Sequence, residues 1–172
     1  MGKWQVYDWL GLEQFSYPIL AKNAKGSLLV DVDGNQYIDF AMGFGAIMFG
    51  YNHPYISQKV AESLDDGIVL GALMPQPFAI AQRICKITGV ERVSFCNSGT
   101  EAVMNLVRIA RAVRNCDTIV VFSGAFHGTY DPVYIQKNTW NDGIVPAPRS
   151  IGTPLHYLDD IIMLPYGERQ SE

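Results

Sequence analysis

Three small polar residues between an apolar run and a helical pattern are the part of this sequence best suited to chemistry. Ser98, Gly99 and Thr100 follow Asn97 and precede a segment whose apolar residues recur with a period close to 3.6. The first N–H groups of a helix have no partner within the helix, and the helix dipole places partial positive charge beside them. The sequence therefore predicts an anion-binding turn at residues 98–100, with phosphate as the favoured anion.

Two apolar runs should position this turn and a second loop beside it. Residues 93–96 and 118–122 are both short and apolar, which predicts two buried strands with a helix beginning near Thr100 between them. The second run opens into Phe126, His127 and Gly128. In strand–helix–strand units the loops after parallel strands meet at one edge of the sheet, so we expect both loops to line one crevice. The apolar face of the helix is predicted to comprise Ala102, Leu106, Ile109, Ala110 and Val113.

The rest of the chain predicts further short elements. Residues 26–41 read as a β-hairpin that turns at Asp33-Gly34-Asn35, a strong hairpin signal. Helices are expected from His53-Pro54 to about residue 66, and from about residue 78 to residue 87. Residues 138–153 show little periodicity and predict a long loop, whereas residues 160–165 predict one more strand.

Strands separated by helices predict an α/β protein with a mainly parallel sheet. We expect an N-terminal arm and β-hairpin segment at residues 1–52, and the first part of a larger α/β domain, cut short, at residues 53–172. The first 25 residues are rich in aromatic side chains, which are expected to pack on this chain's own core or on a second subunit.

Composition excludes several classes of function. The chain has 172 residues, of which 48% are hydrophobic, and a net charge of −4, so neither nucleic acid nor an anionic membrane is an expected partner. No apolar run is long enough to span a bilayer, and the N-terminus is a poor signal peptide. The three cysteines form no C-x-x-C pair, which predicts buried reduced thiols in a cytoplasmic protein and no metal site.

Several motifs, in this order, resemble the class III aminotransferases, which are pyridoxal 5′-phosphate (PLP) enzymes of fold type I. Within them the sequence is most similar to the glutamate-1-semialdehyde 2,1-aminomutase branch, and the resemblance runs from about residue 21 to residue 166. It rests on Asp31-Val32-Asp33-Gly34-Asn35, Tyr37-Ile38-Asp39, Asn52-His53-Pro54, Asn97-Ser98-Gly99-Thr100-Glu101-Ala102, Arg108 and Arg111, Phe126-His127-Gly128 and Leu164-Pro165-Tyr166.

The resemblance implies a role for each matching residue. Ser98, Gly99 and Thr100 would hold the PLP phosphate, which agrees with the anion site predicted above. Phe126 would lie against the pyridine ring, where the family more often has Tyr, and His127 and Gly128 would shape the same loop.

The resemblance also implies contacts with substrate and with a second subunit. Phe44 would face the substrate, at a position where the aminomutase branch tends to have Trp. Gly71 and Ala72 match a loop that reaches the cofactor phosphate region of the partner in family dimers. The implied substrate is a small amino or keto compound, free or carrier-bound.

The family's reaction needs a lysine that forms a Schiff base with the cofactor, and this lysine has no counterpart here. None of the six lysines lies in a setting that resembles it: Lys3, Lys22, Lys25, Lys59, Lys86 and Lys137. We therefore expect the N-terminal portion of an aminotransferase or aminomutase, inactive alone, that forms a homodimer or is completed by a C-terminal part.

Three other interpretations stay open at this point. The chain could be the aminotransferase segment of a polyketide or nonribosomal-peptide assembly line, acting on a carrier-bound β-keto acyl chain. It could be a non-catalytic PLP-binding or dimerising remnant, or an unrelated α/β protein that binds a phosphate ligand. In the simplest alternative, Ser98 or Thr100 only caps a helix and Glu101 is an acidic first-turn residue.

Overall fold

The computed structural model describes residues 19–67, 71–140 and 143–167, without the side chain of Trp140. The chain divides into two compact units, Met1–Leu73 and Met74–Glu172, and each is described by itself. The expected boundary after residue 52 stays a prediction. The aromatic side chains of the predicted N-terminal arm lie outside the described residues.

A three-stranded antiparallel sheet forms the first unit, with strands β1 (Ala21–Lys25), β2 (Leu28–Asp31) and β3 (Gln36–Ile38) in that order. The predicted hairpin is confirmed as β2 and β3, with Leu29 opposite Tyr37. Strand β1 was not predicted, because its sequence AKNAK lacks the alternation of apolar residues that marks a strand.

The turn of this hairpin is organised around one buried carboxylate. Asp31 is only 2% exposed and accepts hydrogen bonds from the Asp33 N–H (3.0 Å), the Asn35 N–H (2.8 Å), Asn35 Nδ2 (2.9 Å) and the Tyr37 hydroxyl (2.9 Å). These hydrogen bonds, chiefly the one from the Asn35 side chain, lower the pKa of Asp31 although desolvation acts in the opposite direction. The carboxylate thus holds the turn in place.

Helix α1 (Pro54–Asp66) follows, beginning at the predicted proline. Proline suits the first helical position because its missing N–H would be unpaired there in any case. One face of α1 lines a groove of about 560 Å³ together with residues 46, 47 and 49–53.

The second unit begins with two further helices, α2 (Pro75–Thr88) and α3 (Gly99–Arg114). Helix α2 starts three residues earlier than predicted, again with a proline at its first position, and Gly89 closes it with a left-handed φ of 77°. The Gly89 N–H donates to the Cys85 carbonyl, which satisfies one of the last carbonyl groups of the helix.

The core of the second unit lies between a parallel strand pair and a hairpin. Strands β4 (Ile119–Phe122) and β7 (Ile161–Leu164) pair in parallel, and both were predicted. Strands β5 (Ile135–Trp140) and β6 (Gly143–Pro148) pair antiparallel. Short 3₁₀ turns, Asp131–Val133 and Leu155–Asp160, connect these elements. The buried cluster consists of Val121, Ile135, Ile161 and Met163.

Two predictions of secondary structure in this unit are wrong. The expected loop at residues 138–153 contains most of the β5–β6 hairpin. Strand β6 was not predicted because Pro146 and Pro148 are typical of a loop. In the structure they occupy alternate positions of β6, which is an edge strand, where sheets tolerate proline. Residues 93–96 form no strand, because within the described ranges no strand pairs with them.

The apolar face predicted for α3 is largely exposed. Leu106, Ile109 and Val113 are 63%, 61% and 77% exposed, and the helix instead buries Val107. The predicted residues share one side of the helix, but that side faces away from the packed core of this unit.

The cysteines are unpaired, as predicted, but Cys96 and Cys116 are exposed and Cys85 is only half-buried, so the expectation of buried thiols is wrong. In the part of the chain that the structure describes, no helix has the length and apolar character needed to cross a membrane.

Candidate functional site

The N-terminus of α3 carries a complete capping box. The Ser98 hydroxyl accepts the Glu101 N–H at 3.2 Å, and the Glu101 carboxylate accepts the N–H groups of Ser98 (3.2 Å) and Asn97 (2.7 Å). The S-x-x-E spacing signals such a box, so the sequence already contained this role for Glu101. Ser98 is thus a helix cap, as the simplest interpretation held. The cap does not account for the other N–H groups of the first helical turn.

Two backbone donors at this helix end stay unused. The Glu101 carboxylate accepts the N–H groups of Asn97 and Ser98, and the Ser98 hydroxyl accepts the N–H of Glu101. Among the described residues, no group accepts the N–H of Gly99 or Thr100. Gly99 is exposed and Thr100 is half-buried, so both N–H groups lie near the surface at the positive end of a 16-residue helix. Such donors attract an anion.

The loop after β4 contacts this helix end directly. The Thr129 N–H donates to the Thr100 hydroxyl at 3.2 Å. At Gly128, whose φ is +87°, an added Cβ would lie 2.4 Å from Thr100 Oγ1 and 2.9 Å from Thr100 Cα. Only glycine therefore fits here, both for its backbone conformation and for the close approach of the two chain segments.

The parallel pair sets the position of this loop. Strands β4 and β7 end at the same edge, with Phe122 opposite Leu164, and the Ser123 N–H extends the ladder to the Leu164 carbonyl (2.8 Å). Gly124 then turns the chain with a φ of +82°. The structure thus brings residues 98–100 and Gly128 together, as the sequence predicted. The loop with Gly128 follows the parallel strand β4, whereas residues 93–96, which precede the other segment, form no strand.

Phe126 lies on the same loop, half of its surface exposed (49%). The Arg149 guanidinium carbon lies 5.8 Å from the centre of its ring, within cation–π range. Arg149 follows β6, and its N–H donates to the Tyr134 carbonyl before β5 (3.1 Å). His127 is half-buried between Phe126 and Gly128.

Sequence reasoning missed Thr129 and Arg149 at this site. Thr129 acts through its backbone N–H, which any residue but proline provides, so its residue type carried no signal. Arg149 lies 23 positions from Phe126, and no local pattern links residues of different loops. Phe44, Gly71 and Ala72 belong to the first unit; all three are exposed, and their predicted contacts stay predictions.

A family model described as "Aminotransferase class-III" matches residues 12–133 of the chain. This range includes the capping box, Phe126, His127 and Gly128.

Known proteins with similar sequences and structures point the same way. The chain is 35% identical over 156 residues to glutamate-1-semialdehyde 2,1-aminomutase of Methanosphaera stadtmanae, covering 90% of this chain and 36% of that protein. An omega-transaminase from Sphaerobacter thermophilus superposes with a TM-score of 0.83 at 33% identity, over 88% of this chain and 36% of the other. A structure titled "Transaminase with PLP bound" gives a TM-score of 0.80 at 28% identity, over 89% and 36%. The chain spans about a third of the length of these proteins.

Proposed function

Because the chain belongs to the class III aminotransferase family, we propose that it is the N-terminal part of a PLP-dependent aminotransferase or aminomutase. Its fold is the first part of the α/β fold of type I PLP enzymes. The specific assignment is that the turn at Ser98, Gly99 and Thr100 holds the phosphate group of PLP. The observation that carries it is the pair of N–H groups at the start of α3, Gly99 and Thr100, that no described group accepts, with the loop at Gly128 in contact with Thr100.

Four donors at this turn suit a phosphate. The N–H groups of Gly99 and Thr100 have no acceptor among the described residues. The hydroxyls of Ser98 and Thr100 each already accept a backbone N–H, so each has its own O–H left to donate. A phosphate accepts several hydrogen bonds and carries the negative charge that the helix dipole favours. The residues present therefore fit the phosphate of PLP.

When bound, PLP supplies a pyridine ring that withdraws electrons from the reacting carbon of the substrate. The residues of this chain bind PLP and orient its ring. The loop after β4 contacts Thr100 at Gly128, and the contact is so close that residue 128 has no room for a side chain. Phe126 is the residue we assign to one face of the pyridine ring, with Arg149 limiting the positions that its side chain adopts. His127 and Gly128 keep this loop at the phosphate turn.

The substrate is a small molecule that bears an amino or keto group, in keeping with the family. The reaction is amino-group transfer, or intramolecular migration as the name of the relative from Methanosphaera stadtmanae indicates for that protein. We assign Phe44 to the substrate. The Schiff-base lysine comes from a longer form of the polypeptide or from a complementing C-terminal part, so the chain alone binds PLP without catalysing the reaction. A homodimer is the proposed assembly.

A non-catalytic PLP-binding remnant is the second candidate. Both candidates require the phosphate site, and they differ in whether a catalytic lysine ever joins it.

The test is a titration of the chain with PLP and, separately, with pyridoxal, which lacks the phosphate. We expect saturable PLP binding that Thr100→Val and Ser98→Ala each weaken by about tenfold or more, since a hydrogen bond to a charged group contributes about 1.5–3 kcal/mol. Pyridoxal should bind weakly to all three forms. Thr118→Val and Ser63→Ala are the matched controls, because neither residue lies at the turn.

Equal affinity for PLP and pyridoxal would contradict the phosphate assignment. Unchanged PLP binding in both Thr100→Val and Ser98→Ala would contradict it as well. A complementing polypeptide that restores amino transfer would exclude the remnant.

A further inference from the structure

The side chain of Phe126 has no polar atom, so no hydrogen bond to a donor or acceptor of its own fixes the direction in which its ring points. Half of its surface is exposed (49%), which leaves much of the ring without protein around it. The Arg149 guanidinium carbon lies 5.8 Å from the centre of this ring, a separation at which a positive charge is attracted to the negative face of an aromatic ring. Arg149 therefore acts on the ring itself.

Hydrogen bonds hold the backbone of the loop on both sides of Phe126. Before it, the Ala125 N–H donates to the Phe122 carbonyl (3.2 Å), and after it the Thr129 N–H donates to the Thr100 hydroxyl (3.2 Å). These hydrogen bonds fix the position of the backbone, but they leave the side-chain torsion angles of Phe126 free. A contact with the ring is therefore needed to restrict these angles.

Arg149 extends from a well supported part of the chain. Its N–H donates to the Tyr134 carbonyl (3.1 Å), which continues the pairing of β5 and β6 by one residue. Ile135, the first residue of β5, is 5% exposed and belongs to the same buried cluster as Val121 of β4. Strand β4 leads into the loop that carries Phe126. The backbone at Arg149 and the backbone of this loop therefore rest on one core.

We propose that Arg149 is a positioning residue that holds the Phe126 ring where it meets the pyridine ring of PLP, and that it thereby sets the preference of the site for a phosphate ester with a flat ring over phosphate alone. This inference rests on the proposed function, because it takes the phosphate to bind at residues 98–100 and the pyridine ring to lie against Phe126. A side chain that is ordered before the ligand arrives loses less conformational entropy on binding. A ligand with a ring gains from this order, whereas inorganic phosphate, which binds only at the turn, does not.

A guanidinium can also bind a phosphate group directly, through two parallel hydrogen bonds, and the two roles have different consequences. Direct binding would make Arg149 contribute to the affinity for inorganic phosphate, whatever residue stands at position 126. A positioning role makes its contribution depend on an aromatic ring at position 126 and on a ring in the ligand.

The first measurement is a double-mutant cycle on the PLP affinity of the full chain. Arg149→Met removes the charge and keeps a long side chain, and Phe126→Leu keeps an apolar side chain without an aromatic face. We expect Arg149→Met to weaken PLP binding about two- to fivefold, the size of a cation–π contact at a partly exposed site. In the Phe126→Leu background the same substitution should have no effect. Arg149→Lys should keep part of the affinity, because an ammonium group is also attracted to an aromatic face.

The second measurement is the affinity for inorganic phosphate, followed by calorimetry. Arg149→Met should bind phosphate as tightly as the unsubstituted chain does, which would also show that the turn at residues 98–100 keeps its structure. Arg114→Met is the matched control, because it removes the same charge from the exposed last turn of α3, at the opposite end of that helix from the turn. It should leave the affinity for both ligands unchanged.

Three outcomes would overturn the proposal: an equal loss of affinity for PLP and phosphate in Arg149→Met, a loss of PLP affinity that persists in the Phe126→Leu background, and unchanged PLP binding in Arg149→Met. An Arg149→Lys variant that binds PLP no better than Arg149→Met would contradict it as well. Failure of the unsubstituted chain to bind PLP would refute the proposed function instead.

Discussion

At the scale of single residues, Gly128 is the position where the site tolerates least change. Its φ of +87° is unfavourable for any side chain, and a Cβ would clash with Thr100 Oγ1 and with the Thr100 backbone. Gly128→Ala therefore forces the loop away from the start of α3. We expect PLP affinity to fall by tenfold or more, since overpacking of this kind costs about 1–3 kcal/mol. The measurement is a PLP titration of the purified variant.

Gly124 provides a closely matched control for this substitution. It lies on the same loop with a φ of +82°, but no atom lies within 4 Å of the Cβ that it would carry. Gly124→Ala thus has the same cost in backbone conformation without the clash. If both variants lost the same affinity, backbone strain rather than contact with Thr100 would explain the effect.

At the scale of elements, the β2–β3 hairpin should depend on pH through Asp31. The pKa of Asp31 is lowered in the folded chain, so its stabilising effect is complete above the ordinary value of about 3.9 and is lost as the pH falls through the lowered value. Acid should thus open the hairpin. We expect the Asn35 amide to lose protection against exchange, relative to its intrinsic rate at the same pH, below that range in the unsubstituted chain, and already at pH 7 in Asp31→Asn.

Asp33→Asn separates this effect from a general change of charge, because the Asp33 side chain is exposed at the same turn. A hairpin in Asp33→Asn that opens as readily at pH 7 as that of Asp31→Asn would refute the role of Asp31. A protection of the Asn35 amide, relative to its intrinsic exchange rate, that stays constant in acid would refute it as well.

Local signals predicted most of these elements, whereas long-range pairing escaped prediction. Asp33-Gly34 predicted the hairpin, and His53-Pro54 predicted the start of α1. The start of α3 was predicted from Ser98 and from the helical period of the apolar residues that follow it. Strand β6 was missed because its prolines suggested a loop. Residues 93–96 have the composition of a strand without being one, because pairing, not composition, decides that state.

The candidate site divides in the same way. The donors at residues 98–100 were predictable because they follow from where a helix begins. The hydrogen bond from Thr129 to Thr100 joins residues 29 positions apart, and no local sequence pattern predicts it.

At the scale of the whole molecule, the exposed apolar face of α3 favours association of the second unit. It comprises Leu106, Ile109 and Val113, each more than 60% exposed. The four residues of the buried cluster are a small core for a unit of this length. We therefore expect the chain alone to self-associate and to unfold at a low temperature without a sharp transition, as followed by light scattering and calorimetry.

Substitutions on this face should have opposite effects in two contexts. In the chain alone, Leu106→Lys together with Val113→Lys removes exposed apolar surface and should reduce light scattering without a change in PLP affinity. In a longer polypeptide whose added segments cover α3, the same pair buries two unpaired charges and should destabilise the protein by several kcal/mol. Arg108→Lys is the control, because it keeps charge and exposure on the same helix. A monomeric, cooperative melt of the unsubstituted chain at high temperature would contradict this prediction, since it would mean that these units are stable without any cover.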